Sequence, residues 1–252
     1  MKRFRRFSIR TLLFVMLLLA GWLGWKRHTA ETQRVAAEFI LSKKGGYVGY
    51  DYEYDAAAYR LNNPVLPTNK TLIDTFGIDW FHSIVWVELR DNQLTDQDLA
   101  KVTRLKSIRG LVVSGCDLPT DDEFGEGYFS ADISALSLER IGKLRNLQRL
   151  SIDVAKAEAS GTAAWHKLSK LEELTLLSVD DSYLGHIARI PQLKRINLWS
   201  KVTNHVGAKF SEEALLKLSE SPSLQVIKVS PSMSVKTVDQ LKKAHPNLKI
   251  RY

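Results

Sequence analysis

From residue 84 onward, apolar positions return in one spacing: apolar, two residues, apolar, one residue, apolar. The copies are Ile84-Val87-Leu89, Ile108-Leu111-Val113, Leu147-Leu150-Ile152, Leu171-Leu174-Leu176, Leu193-Ile196-Leu198 and Leu224-Ile227-Val229. Side chains alternate across an extended chain, so each copy predicts a short strand with one buried side. The middle apolar residues are separated by 24, 39, 24, 22 and 31 residues. Helix-like return segments fill the intervals, as at residues 98–105 and 211–218. Thr95 or Asp96 suits the N-cap of the first of these. The two long steps hold insertions, one around residues 119–132 and one around 201–210. Residues 245–252 match the approach to a further strand and predict a short seventh one.

The preceding pattern is different. Residues 26–44 have helical character, with Val35, Phe39 and Ile40 on one face. Gly45-Gly46 ends that helix, because glycine suits the left-handed cap position. Residues 47–54 read as a tyrosine-rich strand, and Leu72, Ile73, Phe76, Trp80 and Phe81 as an apolar helical stretch. A stack of repeats needs an atypical end to cover its core, and residues 28–82 are read as that cap.

Residues 11–25 carry no charge. As a helix they span about 22 Å, short of a ~30 Å hydrocarbon core. Starting at Phe7, with Arg10 snorkelling to the headgroups, the stretch becomes long enough. Trp22 and Trp25 suit the far interface. Lys2, Arg3, Arg5, Arg6 and Arg10 precede it with no acidic residue among them, which predicts a cytoplasmic N-terminus and a translocated remainder. A signal peptide cleaved to give a secreted protein is the rival reading, but bulky residues in Ala20-Gly21-Trp22-Leu23-Gly24-Trp25 make a poor small-x-small site. The organisation is therefore a leader and anchor (1–27), a cap (28–82) and a repeat domain (83–252).

The chain has 252 residues, 44% hydrophobic and 25% charged, enough for a sizeable core. Five of its eight net positive charges belong to the leader, so the net +8 is not a nucleic-acid footprint. Cys116 is the only cysteine, which excludes an intrachain disulfide and a disulfide-stapled scaffold.

Candidate chemistry is sparse. His28, His82, His166, His186, His205 and His245 show no metal-ligand spacing, so no metal is expected. The acidic run Asp117, Asp121, Asp122, Glu123 and Glu126 lacks a calcium-loop pattern and reads as a solvated loop. Residues 45–49 precede a strand and lack the Lys-Ser/Thr of a phosphate loop. Asp51, Glu53 and Asp55 alternate along a strand and could hold a general acid and base, yet no nucleophile or histidine partner is identifiable beside them. No nucleophile elbow or zincin helix is present either. No cofactor and no small-molecule substrate are expected.

The runs Leu105-Lys106-Ser107-Ile108, Leu144-Arg145-Asn146-Leu147, Leu168-Ser169-Lys170-Leu171 and Ile190-Pro191-Gln192-Leu193 each lead into a repeat strand. With Leu94-Thr95-Asp96-Gln97-Asp98-Leu99 they resemble bacterial leucine-rich-repeat proteins, and the leader looks like the membrane anchor many of them carry. The resemblance implies an α/β fold: a curved, irregular solenoid with a parallel sheet on its concave face and helices or loops on its convex face. It also implies binding of a protein or other macromolecule. One departure is the asparagine that usually follows each strand. Only Asn92 fits, with Cys116, Ala155 and Val179 in the next three matching positions.

Alternation then sends to the concave face Trp86, Glu88, Arg90, Gly110, Val112, Ser114, Arg149, Ser151, Asp153, Glu173, Thr175, Leu177, Arg195, Asn197, Trp199, Val226, Lys228 and Ser230. Arg149, Asp153, Glu173, Arg195, Trp199 and Lys228 are the candidate partner-binding residues, since Trp and Arg are frequent interface anchors. The sequence therefore reads as a single-pass, membrane-anchored, non-catalytic recognition protein. The alternatives are an envelope enzyme with a site around residues 51–55, and a solenoid that only spaces or self-assembles.

Overall fold

The computed structural model describes residues 9–91, 93–115, 133–200, 202–203, 206–207, 210–230 and 235–251. Asn92, Cys116, the 119–132 insertion with its acidic run, and most of the basic leader lie outside them. The chain is α/β. Its main sheet has eight strands, β1 (Tyr47–Tyr50), β2 (Ile84–Arg90), β3 (Gly110–Ser114), β4 (Arg149–Asp153), β5 (Glu173–Val179), β6 (Arg195–Ser200), β9 (Val226–Ser230) and β10 (Lys249–Arg251), side by side in that order. Strands β2 to β6, β9 and β10 run parallel, and β1 pairs antiparallel with β2. β10 is the short closing strand the C-terminal pattern predicts. A hairpin of β7 (Val202–Thr203) and β8 (Val206–Gly207) occupies the second insertion.

The repeating spacing builds the core directly. Val87, Leu111, Leu150, Leu174, Ile196 and Ile227 are Cα partners in one row across the sheet, and Leu89, Val113, Ile152, Leu176, Leu198 and Val229 form the next. All twelve are buried. Because side chains repeat every second residue, in-register pairing puts both rows on one face. Helices cover that face: α3 (Asp96–Val102), α4 (Ala135–Ile141), α5 (Asp181–Ile187), α6 (Glu212–Ser219) and α7 (Val235–Ala244). After β4 a 3₁₀ turn at Ala159–Lys167 takes the helix's place, and its Trp165 is fully buried.

Polar groups tie one strand-and-helix unit to the next. Thr95 is the N-cap of α3, in a capping box with Asp98. Asp96 then reaches forward, accepting from Ser134 N at 2.9 Å and from the Ser137 hydroxyl at 2.5 Å, at the N-terminus of α4. Asp181 accepts from Ser211 N at 3.0 Å in the same way, joining α5 to α6. A ladder of side-chain bonds to backbone carbonyls runs just before the strands. Ser107 donates to Ile84 O (2.7 Å), Asn146 to Lys106 O (3.0 Å) and Ser223 to Leu193 O (3.0 Å).

The N-terminal region departs from its reading in one place. The apolar stretch and the helical residues after it form one continuous helix, α1 (Ile9–Ser42). Its residues 9–25 are exposed, while Ala30, Gln33, Ala36, Ala37 and Ile40 pack into the domain. α1 is long and apolar enough to cross a membrane. The predicted strand over 47–54 stops at Tyr50, where the register with β2 slips. Glu53 Oε2 accepts from Tyr50 N at 2.8 Å and closes a 3₁₀ turn over Asp51–Glu53. Asp51, Glu53 and Asp55 therefore share no strand face. The predicted helical stretch before the first repeat is present, split by Gly77 into α2 (Lys70–Phe76) and a 3₁₀ turn at Ile78–Trp80.

Candidate functional site

Strand register assembles the candidate residues into columns on the sheet face away from the helices. Trp86, Gly110, Arg149, Glu173, Arg195 and Val226 are successive Cα partners. Glu88, Val112, Ser151, Thr175, Asn197 and Lys228 form the second column, and Asp153, Leu177, Trp199 and Ser230 the third. The alternation predicted from the sequence holds. The exposure it implied does not hold throughout.

The first column is occupied by the chain itself. Residues 54–61 follow the 3₁₀ turn after β1 and cross the sheet as a strap. Tyr54 stacks on Trp86 with centroids 5.3 Å apart and planes 8° from parallel. Gly110 leaves room for the Trp86 ring that Tyr54 stacks on, because a Cβ there would lie 1.9 Å from that ring. Arg109 donates to Asp55 O and Gln148 to Ala56 O, each at 2.9 Å. The Asp55 carboxylate holds the amides of Ala57 (2.9 Å) and Tyr59 (2.8 Å), forming a tight turn. Ala58 closes that turn at φ 59°, a left-handed conformation that costs about 1 kcal/mol for an L-residue.

The turn delivers Tyr59 into a clamp. Its hydroxyl donates to Glu173 Oε1 at 2.5 Å and accepts from Arg195 at 2.8 Å. The Arg149 guanidinium lies 4.0 Å from the Tyr59 ring centroid and forks onto Glu173, its Nε 2.7 Å from Oε2. Glu173 is thus shared between two arginines and a phenol. Burial pushes its carboxyl up. The hydrogen bonds from Tyr59 and Arg149 and the charges of both arginines outweigh burial and hold it below its ordinary value.

Two open regions flank the strap. Toward β1, a cleft of about 500 Å³ is floored by Tyr47, Tyr54 and Trp86 and rimmed by Arg60, Arg90 and Arg149. Its guanidinium groups suit carboxylate chemistry, with Glu88 paired to Arg90 at 2.8 Å. Toward β9, Trp199 is half-buried and the Lys228 ammonium sits 5.4 Å from its ring centroid. Thr175 and Asn197, bonded to each other at 3.1 Å, adjoin them.

Several expectations are corrected. Asp153 is only 3% exposed and accepts from Ala155 N at 3.0 Å, so it shapes a turn and presents no contact surface. Val112, Ser114 and Leu177 are also buried. Arg149, Glu173 and Arg195 come together, but around Tyr59. Trp199 and Lys228 form a separate group. Tyr59 itself was missed. Gly110, a glycine among outward strand positions, makes room for the Trp86 ring of the neighbouring strand and carries no signal for Tyr59.

The region before β2 holds a second constellation. His82 is 7% exposed, its Nδ1 lies 2.9 Å from Asp51 Oδ1, and its Nε2 lies 2.9 Å from the Thr68 hydroxyl. Asp51 therefore has a histidine partner after all, brought in from 31 residues away. Carboxylate, imidazole and hydroxyl in a line are the parts of a base-activated nucleophile. Neither the arginine-rimmed cleft nor one of about 340 Å³ beside α1 includes any of the three. Among the described residues no group of three or more His, Cys, Asp or Glu is placed to hold a metal ion. No family model matches the chain, and no curated protein sequence matches it.

Proposed function

We propose that this chain is a membrane-anchored, non-catalytic leucine-rich-repeat protein that recognises a protein partner on the outer face of its parallel sheet. The observation that carries the reading is the clamp on Tyr59. A peptide segment already lies across this face, held by strand side chains through ion-paired arginines, ring contacts and a phenol hydrogen bond. A surface built to hold one segment of polypeptide is chemically suited to another beside it, on the arginine-rimmed cleft or on Trp199 and Lys228. The repeat reading is supported by the in-register apolar rows, the helix or 3₁₀ return after each strand, and the forward carboxylate links of Asp96 and Asp181. The anchor reading is supported by the exposed apolar residues of α1. The five leader cations favour a cytoplasmic N-terminus.

Photo-crosslinking in native membranes tests the reading. A crosslinker at Trp199 is expected to capture one protein, while the same group at Glu139 on the helix side captures none. Trp199→Ala with Lys228→Ala is expected to weaken that complex by about 2 kcal/mol or more, roughly 30-fold, as for interface anchors. Equal capture from both faces, or unchanged affinity, overturns the reading.

Asp51, His82 and Thr68 favour a second reading, a hydrolytic cap in which His82 takes the Thr68 proton and Asp51 orients the imidazole. That reading expects a fluorophosphonate probe to label the wild type and to leave Thr68→Ala unlabelled. An unlabelled wild type removes it and leaves His82 as a buried tie between two cap segments.

A further inference from the structure

Helix α2 has seven residues and none is buried. Leu72 (45% exposed) and Phe76 (53%) stand four residues apart on one face. A helix this short does not hold together in water without a surface to pack on. Its ends are nevertheless fixed. The Asn69 side chain caps the first turn, accepting from Thr71 N at 2.8 Å. After Gly77 the chain turns back onto α1, where Gln33 donates to Asp79 O (3.3 Å) and accepts from Ile84 N (2.8 Å).

The height of α2 along α1 follows from the cleft between them, which is lined by Arg27, Ala30 and Arg34 on one side and Phe76 and Trp80 on the other. The exposed apolar run of α1 ends at Trp25. At about 1.5 Å per residue, Arg27 lies about 3 Å past Trp25 and Arg34 about 14 Å past it. A headgroup layer is about 5–8 Å deep on each side of the hydrocarbon. Phe76 therefore lies beside the stretch of α1 from about 3 to 14 Å past Trp25, a range that takes in the headgroup layer of a bilayer crossed by the exposed apolar part of α1. No linker intervenes, since α1 is continuous and buried into the domain from Ala30 onward.

We propose that the Leu72–Phe76 face of α2 docks on the phospholipid surface of the same bilayer that α1 crosses. The proposal rests on α1 being a membrane span. Partial insertion gives the two apolar side chains an environment that the rest of the domain does not supply. Trp80, its ring 5.9 Å from that of Phe76 and tilted by 55°, is a residue type favoured at a membrane interface. Lys70, Arg27 and Arg34 carry charges suited to lipid phosphates, set beside the carboxylates of Asp74, Glu31 and Asp79, so the docking rests on the apolar pair and not on net charge. Docking would fix the tilt of the sheet relative to the membrane and so decide which way its outer face looks.

The test uses the full chain with Cys116→Ser, in nanodiscs of phosphatidylethanolamine and phosphatidylglycerol. An environment-sensitive fluorophore is placed at Leu72→Cys and, in a second variant, at Phe76→Cys. Each is expected to lose most of its emission to a nitroxide lipid labelled near the headgroup, while the same probe at Glu139→Cys is unaffected. A probe at Leu18→Cys, quenched by a nitroxide deep in the acyl chain, reports the span. Quenching at Leu18 without quenching at Leu72 and Phe76 overturns the docking and leaves the span standing. No quenching at any of the three removes the span and the docking with it. Probes at Leu72 and Phe76 that are shielded from aqueous quencher but untouched by nitroxide lipid are covered by protein, either a second copy or a partner, and that also overturns the proposal.

Discussion

Trp165→Ala is expected to destabilise the fold by about 3–5 kcal/mol, the range for truncating a fully buried aromatic residue. Trp165 fills the layer between sheet and helices at the one unit where a 3₁₀ turn replaces the α-helix. It is fully buried, and its Nε1 donates to Leu138 O at 2.9 Å. The surroundings cannot close over the gap easily. Gly161 lies tightly on the α4 backbone, where even a Cβ would come 2.5 Å from Ala135 O. The lost hydrogen bond is the smaller part, because Leu138 O still accepts from Gly142 N at 3.1 Å. Trp165→Phe, which keeps most of the volume, is therefore expected to cost only about 1–2 kcal/mol. Thermal unfolding in detergent should show the alanine variant melting roughly 10 °C or more below the wild type. A phenylalanine variant as unstable as the alanine one would place the energy in the hydrogen bond and contradict the packing argument.

Trp165 also marks where the sequence is legible. Residues such as Leu150, Leu174 and Ile196 are readable because strand periodicity is local and repeated six times. Their burial follows from spacing alone, and so did the sheet's closing strand. The 3₁₀ return at Ala159–Lys167 has no such periodicity, and only one large aromatic residue among small ones hints at it. The cap is harder still. Tyr59 meets Glu173 across 114 positions and Arg195 across 136. Contacts of that kind depend on where a turn aims a side chain, here through the Asp55 carboxylate and the left-handed Ala58. Neither residue advertises the turn in a pattern. The same limit hid His82, whose Asp51 and Thr68 partners come from two different loops. Arg149, Glu173 and Arg195 were legible as outward residues of one sheet. That they face their own chain was not, and the open part of the sheet face is consequently smaller and split in two.

Glu173→Gln is expected to detach the strap from the sheet and to cost about 2 kcal/mol at neutral pH. This lies between the ~0.2–1 kcal/mol of an exposed ion pair and the ~3–5 kcal/mol of a broken buried one. The intermediate value follows from burial: the Arg149 and Glu173 side chains are 26% and 19% exposed. Glutamine can still accept from Tyr59, but it leaves two guanidinium groups without their shared counter-charge. The pH dependence has a definite sign. The folded-state carboxyl is held below its ordinary value near 4.5, so its contribution is fully present above that value. It is lost as pH falls through the lower folded-state value, where wild type and variant should converge in urea unfolding. Arg60, exposed in the strap, supplies an independent readout at neutral pH. Trypsin should cut after Arg60 faster in Glu173→Gln than in the wild type, while Tyr59→Phe, which keeps the ring on Arg149 but loses the hydroxyl, falls between them. A stability difference that does not change with pH would mean that Glu173 acts through shape and not charge. Unchanged cleavage at Arg60 would mean that the strap is held by Tyr54 on Trp86 and the backbone bonds from Arg109 and Gln148, with the clamp on Tyr59 incidental.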